Sequence, residues 1–154
     1  METYRQISEI GKNKCNQHLG KQFLSSMLSG AFIGFGAACS FRVGGMLEGT
    51  NIGLKRLVMG LFGLPIGLML IVLCETQLFT GNTSFYTISI IEKKIKILRT
   101  LISLLIIYIG NLIGSILFAF LIYGSSILES NKEVLFISQK KVNGSWFSTF
   151  IKGL

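Results

Sequence analysis

The stretch LCETQLFTGNTSFY, from Leu73 to Tyr86, decides the fold of this chain because it interrupts a long apolar run with polar side chains. The run extends from Leu57 to Ile91, 35 residues in which Glu75 is the only charged side chain. As one helix it would be about 50 Å long, whereas the hydrocarbon core of a bilayer is about 30 Å thick. A single straight helix therefore does not fit.

The part of the run after the polar break is too short to cross a membrane by itself. Residues 82–91, NTSFYTISII, would cover about half of the bilayer as a helix. The sequence therefore predicts one crossing made of two half-helices with irregular backbone between them. Because such backbone is tolerated at membrane depth only inside protein or beside a polar cavity, the break indicates a transport path.

We place the break at residues 80–83, TGNT, where Asn82 or Thr83 could cap the second half-helix. The N-terminus of that half-helix would present free N–H groups and partial positive charge near the membrane centre, which favours an anion. The alternative is a kinked, fully packed helix whose polar groups satisfy one another. By periodicity alone, Leu64 and Leu68 share one face of the first half-helix and are ordinary packing residues.

Glu75 is the one ionisable side chain deep in this segment. Because charged groups are costly inside a membrane and usually serve a function there, it is a candidate for a proton or ion role. Two alternatives stay open: the carboxylate could lie near a vestibule, or it could bond the amides of the loop.

A second apolar run, Gln22–Phe41, is uncharged over 20 residues and places Ser26, Gly30 and Gly34 at four-residue spacing. A stripe of small residues lets membrane helices approach closely. We therefore expect this face to pack against protein rather than to bind a ligand.

A third run has no charged residue from Thr100 to Leu128 and carries Gly110 and Gly114 at GxxxG spacing, with Asn111 beside them. We expect Asn111 to make a helix–helix hydrogen bond. The predicted fold class is therefore all-α: a polytopic helical membrane protein with three spans, the second of them broken.

The composition supports this class and argues against several others. Half of the 154 residues are hydrophobic and only 14% are charged. The net charge of +8 lies mostly beside the apolar runs, so the expected partner is the lipid bilayer and not a nucleic acid. The three cysteines lack metal-binding spacing, and no phosphate loop or convergent nucleophile and base occurs, so we expect no metal, no cofactor and no enzymatic activity.

The chain divides into four parts. Residues 1–21 are a polar lead, residues 22–128 hold the three spans, residues 129–145 form a mostly polar loop, and residues 146–154 resemble the start of a fourth span. Lysine and arginine are slightly more frequent on the side of the lead, where EKKIKILR forms a compact cluster. This bias predicts that the N-terminus is cytoplasmic. We expect a multi-pass integral membrane protein, in the plasma membrane.

Four stretches occur in an order and spacing that resemble a known family. They are SGAFIG with a following GG, LPIGLMLIVLCETQLFTGNT, EKKIKIL, and IGNLIGS. Over residues 20–154 the chain resembles the amino-terminal half of the formate/nitrite transporter family, and most closely its apicomplexan lactate/formate branch. LFTGNT is the most specific of these elements.

The resemblance implies a homopentameric channel or transporter with a pore in each protomer and an aquaporin-like fold of two inverted three-span repeats, of which this chain holds the first. The cargo would be small monocarboxylates such as formate and lactate, or nitrite, moved with protons and crossing as the neutral acid. By motif position, Leu64, Leu68 and Leu78 match constriction residues. The central pore loop would be formed by Leu78, Phe79, Thr80, Gly81, Asn82 and Thr83.

The chain departs from the family pattern at several places. Where the family usually has a glycine and an acidic residue shortly before LFTG, this chain has Glu75 and Gln77. Ser25 matches a lysine of the parasite branch, and a second repeat with its pore histidine has no counterpart here. We therefore expect a partial transporter with an incomplete pore. Two other hypotheses stay open: a half-transporter that assembles with another copy or partner, and a non-transporting membrane assembly protein.

Overall fold

The computed structural model describes residues 2–47 and 51–125, and within these ranges the chain is helical with no strand. The helices are α1 Glu2–Asn16, α2 Leu19–Met46, α3 Ile52–Phe62, α4 Leu64–Leu73, α5 Phe79–Ile91 and α6 Ile97–Gly124. The all-α class is confirmed. The predicted loop at 129–145 and the predicted start of a fourth span at 146–154 lie outside the described residues.

Three helical stretches in the described ranges are long and apolar enough to cross a membrane. They are Leu19–Gly44 with 26 residues, Ile52–Leu73 with 22, and Ile97–Gly124 with 28. At 1.5 Å per residue even the shortest is about 33 Å long, which matches the hydrocarbon thickness. The predicted polytopic helical membrane protein with three spans is confirmed.

Helices α2 and α6 pack with their backbones in close contact, and small residues make this approach possible. A methyl group added to Gly30 would collide with the backbone oxygen of Asn111, and one added to Gly114 would collide with that of Met27. At Gly110 the added group would meet the hydroxyl of Ser26. The predicted small-residue stripes on the first and third spans therefore face each other.

The first piece of the broken crossing is longer than the half-helix that the sequence suggests. Helix α3 begins at Ile52, five residues before the apolar run, so that α3 and α4 together reach the length of a full span. The two helices meet at Gly63, and Pro65 lies in the first turn of α4. Proline lacks the N–H that would continue the α3 hydrogen-bond pattern, which explains the bend.

The polar lead contains a complete helix, α1, that packs against α5 through small residues. Ser8, Gly11 and Cys15 are its buried positions. A methyl group on Gly11 would collide with the hydroxyl of Ser89, and this hydroxyl lies 2.9 Å from the carbonyl oxygen of Ser8. Few apolar residues are needed for this contact, because backbone proximity and a buried hydrogen bond replace a wide apolar face.

A cluster of three charged side chains joins α1 to the turn after α5. Lys94 Nζ lies 2.8 Å from a carboxylate oxygen of Glu9 and 2.8 Å from one of Glu92. The hydrogen bond from Lys94 is the main cause that lowers the pKa of both carboxyl groups below the usual value. The cluster therefore fixes the end of α5 to α1 at the polar edge of the fold.

The close contact of α2 and α6 predicts that Gly114→Leu is destabilising. The added side chain has no room beside Met27, and overpacking of this kind costs about 1–3 kcal/mol. Thermal unfolding of the detergent-solubilised protein measures the loss. Gly60→Leu is the matched control, because an added group at Gly60 meets nothing within 4 Å. Equal unfolding temperatures for the two variants would contradict the packing.

Candidate functional site

The crossing is interrupted by the residues 74–78, between the end of α4 at Leu73 and the start of α5 at Phe79. Glu75 has a φ of 50°, in the left-handed region. The N–H of Thr76 donates to the carbonyl of Ile71 at 3.0 Å, and that of Glu75 to the carbonyl of Val72 at 3.2 Å. This pair of bonds around a left-handed residue is a Schellman motif, which ends a helix and turns the chain away.

Glycine is the residue that a Schellman motif favours at its left-handed position, because a side chain there is strained. In this chain that position holds Glu75. The departure noted in the sequence, glutamate in place of the usual glycine, therefore falls on the one residue of the loop where glycine has a conformational advantage.

The predicted place of the break, residues 80–83, is wrong by about one turn of helix. These residues lie in the beginning of α5, and the N–H of Asn82 donates to the carbonyl of Leu78 at 2.9 Å. The hydroxyl of Thr83 donates to the carbonyl of Phe79 at 2.8 Å. Threonine side chains thus bond within their own helix, so their presence does not break it.

Helix α5 is capped from another helix rather than by its own residues. Its N-cap, Leu78, has no side chain that can accept a hydrogen bond. Instead Asn111 of α6 accepts the N–H of Phe79 at 2.9 Å through Oδ1. The Nδ2 group of Asn111 donates to the carbonyl of Gln77 at 3.0 Å and to that of Ser26 at 2.7 Å. The predicted helix–helix hydrogen bond of Asn111 is confirmed, and it joins α2, α6 and the interruption.

Gln77 holds the interruption from the other side, and its side chain is 2% exposed. Its backbone N–H donates to the hydroxyl of Ser25 at 3.2 Å. Its side chain donates to Oε1 of Gln17 at 2.8 Å and accepts from Nδ2 of Asn82 at 3.0 Å. With the bond from Asn111, each nitrogen and oxygen atom of this residue has a hydrogen-bond partner, although its backbone is irregular.

The side chains that were predicted to form the pore loop lie in different environments. Leu78 and Phe79 are half-buried, and the Phe79 ring packs edge-on against Tyr108 with 5.6 Å between ring centroids. Gly81 is half-buried, and Asn82 is 1% exposed. Thr80 and Thr83 are exposed. Asn82 is therefore structural in the described part of the chain, whereas the two threonines are accessible.

The N–H groups of Thr80 and Gly81 have no hydrogen-bond partner within residues 2–47 and 51–125, because α5 has no preceding turn to supply carbonyls. They lie at the positive end of the α5 dipole. The interruption therefore offers two donors and a hydroxyl, that of Thr80, at one point of the fold.

Leu64 and Leu68, predicted from the resemblance to form constrictions, lie one turn apart on α4 and are 64% and 36% exposed. Neither residue is buried by the described part of the chain. Leu64 borders an apolar groove between α4 and α2, whose wall includes Ile33 and Ala37.

Glu75 is exposed rather than enclosed by the described residues. Its charge acts on Lys14 of α1, whose Nζ lies 5.3 Å from the centre of the Phe85 ring. Burial lowers the pKa of Lys14, and the nearby Glu75 carboxylate raises it by a smaller amount. The lead helix therefore lies close enough to the interruption for their charges to interact.

The sequence did not single out Gln17 and Gln22, which connect the lead to this site. Gln22 is fully buried, and its Nε2 group lies 3.0 Å from the carbonyl oxygens of Lys14 and Cys15 at the end of α1. Its Oε1 accepts from the hydroxyl of Ser103 of α6 at 2.7 Å. A glutamine at the start of an apolar run is the only signal that could have pointed to it.

The capping role of Asn111 predicts that Asn111→Leu is strongly destabilising. The Phe79 N–H and the Gln77 carbonyl would lose their partner in a buried setting, at a cost of about 1–3 kcal/mol each. Denaturation of the solubilised protein measures this loss. Ser115→Ala is the control, because the hydroxyl of Ser115 donates only to Leu112 of its own helix. An unchanged midpoint for Asn111→Leu would contradict the cap.

Comparison with known proteins gives consistent matches along the chain. The sequence model of the formate/nitrite transporter family matches residues 1–154. A protein named probable formate transporter, from Methanothermobacter thermautotrophicus, is 35% identical over 133 residues, which are 84% of this chain and 48% of that protein. The formate-nitrite transporter of Plasmodium falciparum is 33% identical over 127 residues, 79% of this chain and 41% of that protein.

A third relative, the formate-nitrite transporter of Entamoeba histolytica, is 33% identical over 116 residues, which cover 75% of this chain and 32% of the relative. The chain thus spans less than half the length of the curated relatives it matches. Because the family model matches the chain over residues 1–154, the chain belongs to the formate/nitrite transporter family.

Proposed function

We propose that the chain is the amino-terminal part of a transporter that moves small monocarboxylates, such as formate and lactate, and nitrite across a membrane together with protons. The observation that carries this proposal is the interruption at 74–78, which separates α5 from the helical stretch Ile52–Leu73, itself long enough to span a bilayer. A packed structural helix has no need of such a break, whereas a transport route uses the exposed polar groups that it creates.

The chemistry of the site suits a carboxylate. The N–H groups of Thr80 and Gly81 and the Thr80 hydroxyl are hydrogen-bond donors, and the α5 N-terminus favours negative charge. As a carboxylate leaves water, the pKa of its acid rises, so that it takes up a proton more readily. We propose that Leu64, Leu68 and Leu78 form the apolar constrictions that only the neutral acid crosses, and that residues 78–83, at the N-terminus of α5, line the pore.

We further propose that residues outside this chain complete the route. The matched relatives are more than twice as long as the segments that align. Leu64, Leu68 and Thr80 are exposed in the described part, as expected if a second repeat covers them. The finer assembly that we propose is a pentamer in the plasma membrane with the N-terminus in the cytoplasm.

The runner-up proposal is a membrane protein whose spans serve assembly without transport. The close, glycine-mediated contact of α2 with α6 favours it, since such contacts occur in any helical membrane assembly. It does not account for the N–H groups of Thr80 and Gly81 that no described residue bonds.

The transport proposal predicts uptake of labelled formate or lactate by liposomes that contain the native protein, when the proton gradient is directed inward. Gly81→Trp should reduce this uptake at least tenfold, because Gly81 has open space around it at the start of α5 and a large ring would fill the route. Gly124→Trp, at the open end of α6, is the matched control and should transport normally. Absence of uptake by the native protein, or normal uptake by Gly81→Trp, would contradict the proposal.

The strain at Glu75 predicts that Glu75→Gly raises the free energy of unfolding by about 1 kcal/mol, because glycine adopts a positive φ without a steric penalty. Glu75→Ala removes the same carboxylate but keeps the strain, so it should not stabilise the protein. We expect both variants to retain proton-driven uptake. If both variants lose it, the carboxylate itself has the proton or ion role that its sequence position suggests.

A further inference from the structure

The turn between α1 and α2 is joined to the interruption by a direct contact of two side-chain amides. Gln17 lies in this turn, and its Oε1 accepts a hydrogen bond from Nε2 of Gln77 at 2.8 Å. The two residues are 60 positions apart in the chain. The contact therefore ties the α1–α2 turn directly to the interruption at 74–78.

Gln17 is itself held in place by two other helices. Its carbonyl accepts from Nη2 of Arg99 in α6 at 3.1 Å and from Nε2 of Gln22 in α2 at 3.2 Å. Gln22 is further bonded to Ser103, as described above. The backbone that carries the Gln17 side chain is thus fixed relative to both long spans.

Gln77 passes this position on to the first turn of α5. Its Oε1 accepts a hydrogen bond from Nδ2 of Asn82. Asn82 is buried, although it lies between the exposed Thr80 and Thr83 in the sequence. The result is a line of three amides, Gln17, Gln77 and Asn82, that ends at the turn of helix bearing the exposed Thr80.

Each residue in this line has a defined donor or acceptor role, and Gln77 has both. Gln77 donates towards Gln17 through Nε2 and accepts from Asn82 through Oε1, so it uses both atoms of its side-chain amide. Gln17 needs only an acceptor towards Gln77. Removal of the Gln17 side chain leaves Nε2 of Gln77 unpaired, and removal of the Gln77 side chain leaves Nδ2 of the buried Asn82 unpaired. Either loss favours movement of the loop towards other partners.

We propose that Gln77 and Gln17 are positioning residues for transport: they set the orientation of the first turn of α5, and therefore of Thr80, from the α1–α2 turn. Neither residue contacts the cargo. The proposal rests on the proposed transport function for its effect on rate, whereas the coupling between the turn and the loop is independent of that function.

The test compares Gln17→Ala, Gln77→Ala and the double variant of the native protein in two assays. Hydrogen exchange of peptides that cover residues 74–83 measures the loop, and formate uptake in liposomes measures transport. Each single variant should raise exchange in this segment at least tenfold and lower the maximal uptake rate at least fivefold, with KM changed less than twofold. The double variant should resemble Gln77→Ala, because the two residues act through one contact.

Gln17→Glu is the conservative variant, and it distinguishes loss of this contact from a general loss of stability. Its carboxylate keeps the acceptor for Nε2 of Gln77, so both exchange and uptake should stay within twofold of the unmodified protein. Gln6→Ala, at an exposed position of α1, is the matched control for a glutamine in the lead and should change neither measurement.

The outcomes separate this proposal from the transport function. Unchanged exchange at 74–83 in Gln17→Ala overturns the positioning role, and so do additive effects of the two alanine substitutions. If Gln77→Ala does not fold, Gln17→Ala and Gln17→Glu still decide, since Gln17 is only partly buried. Absence of uptake by the unmodified protein would defeat the proposed function, while raised exchange in Gln17→Ala would still support the coupling.

Discussion

Peptide groups that leave a helix at membrane depth must find hydrogen-bond partners, and this requirement organises the whole of the described structure. The interruption at 74–78 has such groups at both of its ends. The Schellman motif bonds the carbonyls of Ile71 and Val72 at the end of α4, and Asn111 bonds the carbonyl of Gln77 and the N–H of Phe79 at the start of α5. Asn111 can do so only because α6 lies in backbone contact with α2 at Gly30. The small-residue stripes are therefore a condition for the broken helix.

The same constraint explains why the polar residues near the interruption divide into two groups. The first group, Gln77, Asn82 and Asn111, is buried or half-buried, and its side chains form hydrogen bonds with one another and with the backbone. Thr80 is exposed and lies beside N–H groups that no described residue uses. Buried polar side chains that bond to the protein, such as Gln77 and Asn82, thus lie within four residues of the exposed Thr80. The site therefore has buried amides that are held by hydrogen bonds on one side and the exposed Thr80 on the other.

Much of the fold follows from patterns that act locally. The length of each apolar run, the glycines of the first and third spans, and the conflict between 35 apolar residues and the bilayer thickness all predict features that the structure contains. The position of the break was misjudged because Thr83 and Thr87 bond to carbonyls one turn earlier, which keeps them helical. The docking of α1 was missed because Ser8 and Gly11, rather than apolar residues, form its contact surface. The contact of Gln17 with Gln77 has no local signal, since sequence patterns do not encode pairs 60 residues apart.

The broken crossing restarts at Phe79, where α6 caps it through Asn111. Residue-resolved hydrogen exchange of the amides 74–83 tests this cap. We predict that the N–H of Phe79 is protected by Asn111, that those of Thr80 and Gly81 exchange quickly, and that protection resumes at Asn82. Continuous protection from Leu73 to Asn82, or a Phe79 amide that exchanges as quickly as those of Thr80 and Gly81, would contradict it.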